Sequence, residues 1–563
     1  MNEQPKSIWR RDILPRFSVF RFCQSLFSRR VLRRIIIVLV WTATLMALLY
    51  GEEHWRGRRA WNKFRQELES RGEQLDLKAF IPKTVPDEQN FAATPFIRSW
   101  FERTTNSEQQ SVFIDPWKDD FAQADKLVLN QKLDENRRHF VDLTAWAAAF
   151  DAVHSAKSEL SDEKAVFRAR YGLKKGEDVP TPPGAHQEFL SMDRDLQTRS
   201  QAAPAVLEGL KSSAAPLAEL GIASQRPFAR YPIIYNLDNP WAILLPHLAH
   251  MKGVCRRLEL RACAELTTGE NAKALDDVKL MLYLADSLKE EPFLISYLVR
   301  LSCLQLATRA VWEGLAEQRW SEAQLQELEG RFQQYDLLAD VKLPLATEQA
   351  AGVLTVDLLA RGKYNLSDLG DFGNQQPSGD AGLPGLVCKF VPRGWFYLEQ
   401  LNYCRFYQLQ LDGTFDAGKK RISPERIEAN GFELQRELYP HRWAMLLHHR
   451  IIAALLLPAL NKVNRSTARA QTALDQAAIA CGLERCRLAN GQFPEKLELL
   501  ASRFTARLPT DALTGEPYKY RRTEDGQFVL YSIGWDEKDD GGTPGKALFD
   551  EKQGDWVWRY PPK

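Results

Sequence analysis

The stretch IIIVLVWTATLMALLY, residues Ile35 to Tyr50, contains no charged side chain and determines how the rest of the chain is interpreted. Arg33 and Arg34 precede it directly. A helix that crosses the roughly 30 Å hydrocarbon core of a bilayer needs roughly 20 apolar residues. Residues 35–50 fall slightly short of that length, but the arginines beside them can extend to the headgroups. The pattern predicts one transmembrane helix over 35–50 in contact with the lipid bilayer. A buried core helix and a cleaved signal peptide are the alternatives.

Positive charge is distributed unequally around this stretch. Nine Lys and Arg residues precede Ile35, whereas the other side begins with Glu52 and Glu53 before its own basic residues. Lys and Arg close to a span favour the cytoplasmic side of the membrane. Residues 1–34 are therefore predicted to be a basic cytoplasmic tail, with the bulk of the chain extracytoplasmic. This arrangement is typical of a single-pass protein of a bacterial inner membrane.

The composition is that of a globular chain with a substantial core. Of 563 residues, 44% are hydrophobic and 26% are charged, and the formal net charge is +2. The near-neutral charge gives no reason to expect nucleic-acid binding. The eight cysteines form no C-x-x-C motif, so neither a zinc ribbon nor a thioredoxin motif is expected. We expect mostly buried thiols, with at most one long-range disulfide.

Two regions are predicted between the span and the C-terminal unit. Residues 51–225 combine helical and irregular segments, and the helical spacing of the anchor continues to about residue 84. Residues 226–440 are predicted to form an α-helical bundle. Within it, the polar, Gly-rich segment 362–385 is predicted to be a flexible loop.

Local signals mark helix ends inside the bundle. TTGE at 267–270 is a helix-to-helix turn, and Ser321 with Gln324 forms a capping box. This antiparallel layout resembles tetratricopeptide-type helix pairs, although no second copy recurs at a fixed period. The body is therefore expected to be helical and repeat-like.

The C-terminal unit, 441–563, mixes helix and strand. A long helix begins at Ile451 and should end at Asn490, because Gly491 follows. Strands are predicted over 518–522 and 528–533, joined by a tight turn. The chain as a whole is thus predicted to be mainly α, with a small α+β unit at its C-terminus.

Four motifs follow one another in this unit: IIAALLLPALNKV, ERCRLANGQFPE, LPTDALTGEPYKY and FVLYSIGWDEKDDGG. Their order resembles the major pseudopilins of type II secretion, within the type IV pilin superfamily. The resemblance implies a long helix packed on a small antiparallel sheet, and a calcium-binding C-terminal loop. The chain departs from the family because no cleavage motif precedes Ile451 and because His448, His449 and Arg450 interrupt the apolar stretch. We therefore expect the fold of the family without assembly into a fibre.

The candidate metal ligands are acidic residues near the C-terminus. Hard cations such as calcium prefer several carboxylate and carbonyl oxygens. Gly541 and Gly542 would let backbone carbonyls approach such an ion. By the resemblance, Asp536 and one of Asp550 or Asp555 match the calcium loop best; a solvated acidic loop is the alternative. The full candidate set is Asp536, Asp539, Asp540, Asp550 and Asp555.

Other motifs carry less information. GGTPGKA at 541–547 is not a phosphate-binding loop, because Asp540 replaces the first glycine and Ala547 replaces the Ser or Thr. His247 and His250 lie three residues apart on a predicted helix, without an acidic or Cys ligand nearby in sequence. They are expected to be structural histidines.

The sequence supports two functional hypotheses. The first is a membrane-anchored extracytoplasmic scaffold or interaction protein with an unidentified protein partner, linked to a secretion or pilus-like system. The second is an extracytoplasmic hydrolase with its site between the helical body and the C-terminal unit. A cleft with convergent polar groups of perturbed pKa would favour the second. The sequence indicates no catalytic residue.

Overall fold

The fold of the chain is mainly α-helical, with small antiparallel sheets, as predicted. A computed structural model describes residues 29–105, 111–117, 120–129, 140–155, 198–363, 392–416, 418–438, 448–457, 460–501 and 503–561. The chain forms two compact units. The first comprises Met1–Glu73, Thr355–Arg405 and His441–Leu456, and the second comprises Gln74–Leu354, Phe406–Pro440 and Leu457–Lys563. Most of the predicted tail 1–34 and of the predicted loop 362–385 lies outside the described residues.

The first helix is continuous from the apolar stretch into a charged segment. Helix α1 spans Arg29–Ser70. The most apolar segment of this helix contains no buried residue. Its length and composition are sufficient to cross a membrane, a test that a signal sequence also passes. The helix ends before the predicted residue 84, because Gly72 adopts a left-handed conformation with φ 84°. The Glu73 amide then donates to the Leu68 carbonyl at 3.1 Å, which closes a Schellman motif.

In the first unit, helix α12, Arg393–Leu411, packs on the charged half of α1. It approaches α1 at Gly394 and Gly57, where a Cβ on either glycine would meet backbone atoms of the other helix. The N-terminus of helix α14, Ile451–Leu456, is capped by Glu399 of α12. The Glu399 carboxylate accepts the backbone N–H groups of residues 451–453. Such a carboxylate satisfies amides that a helix N-terminus otherwise leaves without partners.

Four antiparallel helices form the main layer of the second unit: α6 His247–Thr268, α7 Asn271–Ser287, α8 Leu294–Ala316 and α9 Glu322–Phe332. Helices α6, α7 and α8 pack on one another. The predicted turn is confirmed by Gly269 at φ 85°, and the capping box of Ser321 and Gln324 is present. Helix α8 is also long and apolar enough to cross a membrane. However, more than half of its most apolar segment is buried inside the protein, as in the core helix of a folded domain.

Shorter elements complete this unit. The helices are α2 Pro95–Ser99, α3 Phe121–Leu129, a segment over 143–155, α4 Arg199–Gly209, α5 Ala214–Ala223, α10 Leu337–Asp340, α11 Lys342–Ala360 and α13 Pro424–Leu438. Two antiparallel pairs are formed by β1 Arg103–Thr105 with β2 Ser111–Phe113, and by β3 Phe415–Asp416 with β4 Arg421–Ile422. Helix α11 continues into the first unit, and the last residues of α12 belong to the second.

The C-terminal part of the second unit is a long helix with a small sheet. Helix α15, Leu460–Asn490, packs on α8 and α9 and is buried along most of its length. The sheet consists of β5 Lys519–Arg522, β6 Phe528–Ser532 and β7 Trp556–Trp558, all antiparallel. The Gln476 side chain donates to the Trp556 carbonyl at 2.7 Å and so joins helix to sheet. The predicted sheet is confirmed; the resemblance to pseudopilins stays a prediction.

Candidate functional site

A cavity of about 140 Å³ with both polar and apolar lining lies in the second unit, where the helical body meets the loop before β5. Its wall combines α15, the turn after α9, the turn between β3 and β4, and the loop before β5. Those segments are far apart in the sequence and meet only in the fold. The lining residues are Gln333, Gln334, Tyr335, Asp336, Leu338, Lys420, Gln471, Asp475, Arg507, Pro509, Thr510 and Ala512.

Asp475 is the most perturbed carboxyl group on this wall. Its side chain is only 8% exposed. One carboxylate oxygen accepts from the Gln471 amide at 2.9 Å, and the other accepts from the Tyr518 hydroxyl at 3.0 Å. Burial nevertheless raises the pKa of Asp475 to about 7. The reason is that removing the carboxylate from water costs more free energy than its hydrogen bonds with two neutral donors restore. Asp475 therefore changes charge close to neutral pH.

Gln471 fixes the position of this carboxyl group. It lies one turn before Asp475 on α15, so the two side chains share a helix face. The Gln471 carbonyl oxygen accepts the backbone N–H of Leu337 at 2.8 Å, and its amide nitrogen also donates to the Tyr335 carbonyl at 3.3 Å. These bonds orient the amide so that its nitrogen faces Asp475.

A second buried carboxyl group lies close by. Asp511 is 3% exposed and accepts the backbone N–H of Leu513 at 2.9 Å. Burial raises the pKa of Asp511 to about 6, and its charge raises the pKa of Asp475 in turn. Burial also raises the pKa of Tyr518 well above its usual range. Asp475 on the cavity wall therefore has beside it a second acid of raised pKa, Asp511, and a phenol that stays neutral, Tyr518.

The cationic residues of the cavity have different partners. Lys420 pairs with Asp336 at 2.8 Å. The exposed Arg507 guanidinium forms no ion pair with any residue in the described part of the chain, and its charge lowers the pKa of Asp475. Leu338, Pro509 and Ala512 supply apolar surface. The cavity can hold a small polar group, or supply a proton from Asp475.

The predicted metal ligands lie in the loop between β6 and β7, and most of their oxygens accept N–H groups. Asp555 is 1% exposed and accepts from the Gly542 amide at 2.6 Å and the Asp540 amide at 3.3 Å. Asp550 accepts from the backbone of Lys546 and Lys552 at 2.9 and 2.8 Å.

Of the other three aspartates, Asp539 and Asp540 are exposed and Asp536 is half-buried. Asp539 accepts from the Gly541 amide at 3.0 Å and the Tyr531 hydroxyl at 3.2 Å, and Asp536 accepts from the Lys538 amide at 3.3 Å. The Asp540 carboxylate accepts no hydrogen bond from the residues that the structure describes. Among those residues, no three His, Cys, Asp or Glu side chains are grouped so that they could hold a metal ion. The calcium site stays a prediction.

His247 lies in a buried stack of aromatic rings. Its Nε2 atom is 2.8 Å from a Glu291 carboxylate oxygen, and its ring stacks on Tyr231 with the centroids 4.5 Å apart. Ser296 donates to the other Glu291 oxygen at 2.6 Å. Glu291 comes from the segment before α8, a partner that sequence spacing did not indicate. His250 packs on Trp100 instead.

Comparison with protein-family models, with curated protein sequences and with solved structures finds no match to this chain.

Asp475 was not among the residues predicted from the sequence, although one signal was present. The segment TALDQAAIAC places a single acid within a run of small and apolar residues on a predicted helix. A charged residue there is either at the edge of a buried face or within it, and a buried acid requires partners. Lys420 and Arg507 gave no comparable signal, because only the tertiary fold brings them to Asp475.

Proposed function

We propose that this protein is a membrane-anchored scaffold or interaction protein whose folded bulk lies outside the cytoplasm. The observation that carries the proposal is α1, whose stretch from Leu32 to Tyr50 exposes apolar side chains on every side. Soluble proteins rarely leave so large an apolar surface in water. A bilayer would cover it, with Arg33 and Arg34 at one end and Glu52 at the other.

The experiment is membrane fractionation of the full chain. Leu39 and Leu499 are both exposed leucines, at 61% and 60%, and only Leu39 lies in the apolar stretch. An arginine at the centre of a span costs about 3 kcal/mol. Leu39→Arg is expected to lower the fraction that resists alkaline extraction, whereas Leu499→Arg is expected to leave it unchanged. Full extraction of the unmodified protein by alkali would refute the anchor.

Orientation has its own test. The excess of basic residues before the span supports a cytoplasmic N-terminus in a bacterial inner membrane. A C-terminal reporter enzyme that is active only outside the cytoplasm is expected to be active. A reporter that works only inside the cytoplasm should be silent at the same position, and activity there would reverse the topology.

The link to a secretion or pilus-like system rests on the resemblance of 441–563 to pseudopilins. The long α15 and the antiparallel sheet that packs on it support that resemblance. Cross-linking in intact cells, followed by identification of the captured proteins, tests it. Capture of envelope secretion components is the expected result, and their repeated absence would remove the link.

A hydrolase is the second candidate, and the observation in its favour is the cavity beside Asp475. Near neutral pH this acid can donate a proton to a leaving group and the nearby Asp511 can stay charged, the division of roles that paired carboxyls of different pKa allow. Turnover of ester, glycoside or peptide substrates by the purified chain would support this candidate. Asp475→Asn should then lower the rate by about 100-fold or more, and the exposed Asp276→Asn should not.

A further inference from the structure

We propose that the cavity beside Asp475 binds the carboxylate group of a partner molecule, with Arg507 and Lys420 as its cationic contacts. The inference names the partner chemistry of the interaction function proposed above, and it rests on that function. Nothing in the chain's sequence motifs assigned a ligand to this cavity.

The charges around the cavity favour an anion. Arg507 is exposed at the wall and has no ion-pair partner among the described residues. Lys420 donates to Asp336 at 2.8 Å, and an ammonium group has three N–H donors. A guanidinium group also matches the planar, two-oxygen geometry of a carboxylate. Lys420 and Asp336 offset each other's charge, so the net positive charge comes from Arg507, which has no ion-pair partner among the described residues, and Lys420 contributes further N–H donors.

Size and apolar lining limit the ligand to a short chain. A cavity of about 150 Å³ accommodates a molecule the size of benzene, and binding sites for drug-sized molecules are about 300 Å³ or larger. At about 140 Å³, this cavity fits one carboxylate with a short aliphatic stem. Leu338, Pro509 and Ala512 would contact the stem. An acidic side chain, a peptide C-terminus and a free small carboxylate share this chemistry.

Asp475 makes the binding sensitive to pH. The ionised side chain would repel a carboxylate, and the neutral one would not. Because the pKa of Asp475 is about 7, the neutral fraction falls about tenfold between about pH 6 and about pH 8.

The other titratable groups on the wall or beside Asp475 do not reverse this trend. Burial alone would raise the pKa of Asp336, but the hydrogen bonds from Lys420 and from the Ala339 amide lower it overall, so Asp336 stays charged. Asp511, with a pKa of about 6, also becomes negative as pH rises, which adds to the repulsion. Burial raises the pKa of Tyr335 and Tyr518, so both stay neutral.

The test is titration of the full chain in detergent micelles with acetate, and with acetamide as the uncharged ligand of the same shape. Heat of binding is the readout, at constant ionic strength. Acetate is expected to bind and acetamide is not. The affinity for acetate is expected to be about tenfold weaker at about pH 8 than at about pH 6. Arg507→Gln should weaken acetate binding by about tenfold or more. Arg503→Gln, an exposed arginine of the same loop that stacks on Phe504 outside the cavity, should not.

Asp475→Asn separates charge from shape. Since asparagine cannot ionise, this variant should bind acetate equally at both pH values, and its circular dichroism shows whether it has folded. Peptides with free and amidated C-termini distinguish a chain terminus from a side chain or a free acid. Equal binding of acetate and acetamide, or no effect of Arg507→Gln, would overturn the inference. Membrane fractionation is unaffected by either result, so failure here is distinguishable from failure of the proposed anchor.

Discussion

At the scale of single residues, Asp475 should make stability depend on pH. Its pKa is about 7 in the folded chain and near 3.8 when exposed, so between these values the folded state binds more protons than the unfolded one. The free energy of unfolding must then fall as pH rises from about 4 to about 7. Because asparagine does not ionise, the Asp475→Asn variant should not show this decrease in the free energy of unfolding. We expect the variant to be more stable than the unmodified chain at about pH 8, by on the order of 2 kcal/mol.

Urea denaturation at about pH 5 and about pH 8 measures this difference. Asp276→Asn is the control, because Asp276 is exposed on α7. The diagnostic quantity is the change between the two pH values. A stability difference that is the same at both would mean that Asp475 does not titrate in this range.

Two glycines provide a matched pair at the same scale. A Cβ on Gly314 would overlap the Trp320 indole, whose Nε1 donates to the Val311 carbonyl at 3.1 Å. A Cβ on Gly330 would meet nothing within 4 Å. Gly314→Ala should therefore destabilise by about 1–3 kcal/mol, whereas Gly330→Ala should stabilise by about 0.5–1 kcal/mol, because alanine favours a helix. Thermal unfolding followed by tryptophan fluorescence tests both, and a stable Gly314→Ala would contradict this packing.

At the scale of elements, the acidic loop between β6 and β7 is the unit to test with calcium. Asp555 and Asp550 are occupied by backbone N–H groups, so the ion would need Asp536 and Asp540, whose carboxylates have fewer donors. We expect millimolar calcium to raise the unfolding temperature. Asp536→Asn with Asp540→Asn should remove the rise, and Asp276→Asn should retain it. If neither calcium nor a chelator changes the unfolding temperature, the loop is a solvated acidic loop that does not bind calcium.

The elements were predictable where local chemistry determined them. Gly269, Ser321 with Gln324, and Gly491 ended or began helices as expected, because each acts on its own helix terminus. The end of α1 at Ser70 was missed although Gly72 marks it, since the apolar spacing continued beyond that glycine. The cavity was not predictable: Asp475, Lys420 and Arg507 are brought together only by the packing of α15, a β-turn and a loop.

At the scale of the whole molecule, buried thiols can report how much of the chain unfolds together. Six cysteines in the described part of the chain are buried thiols: Cys255, Cys263, Cys303, Cys404, Cys481 and Cys486. Burial raises the pKa of Cys255, Cys263 and Cys481, which further slows alkylation because the thiolate is the reactive form. Labelling of these residues therefore requires unfolding.

Helix α15 and the helices of the bundle belong to one compact unit. The boundary at residue 441 stays a prediction. Cys481 on α15 should then become reactive at the same urea concentration as Cys263 on α6, because α15 packs on α8 and α9. Cys404 belongs to the other compact unit, so its labelling measures the unfolding of that unit. Alkylation in a urea series, read by mass spectrometry, measures each site. Labelling of Cys481 at clearly lower urea than Cys263 would mean that the C-terminal unit opens alone, and the cavity at its junction with the bundle would open with it.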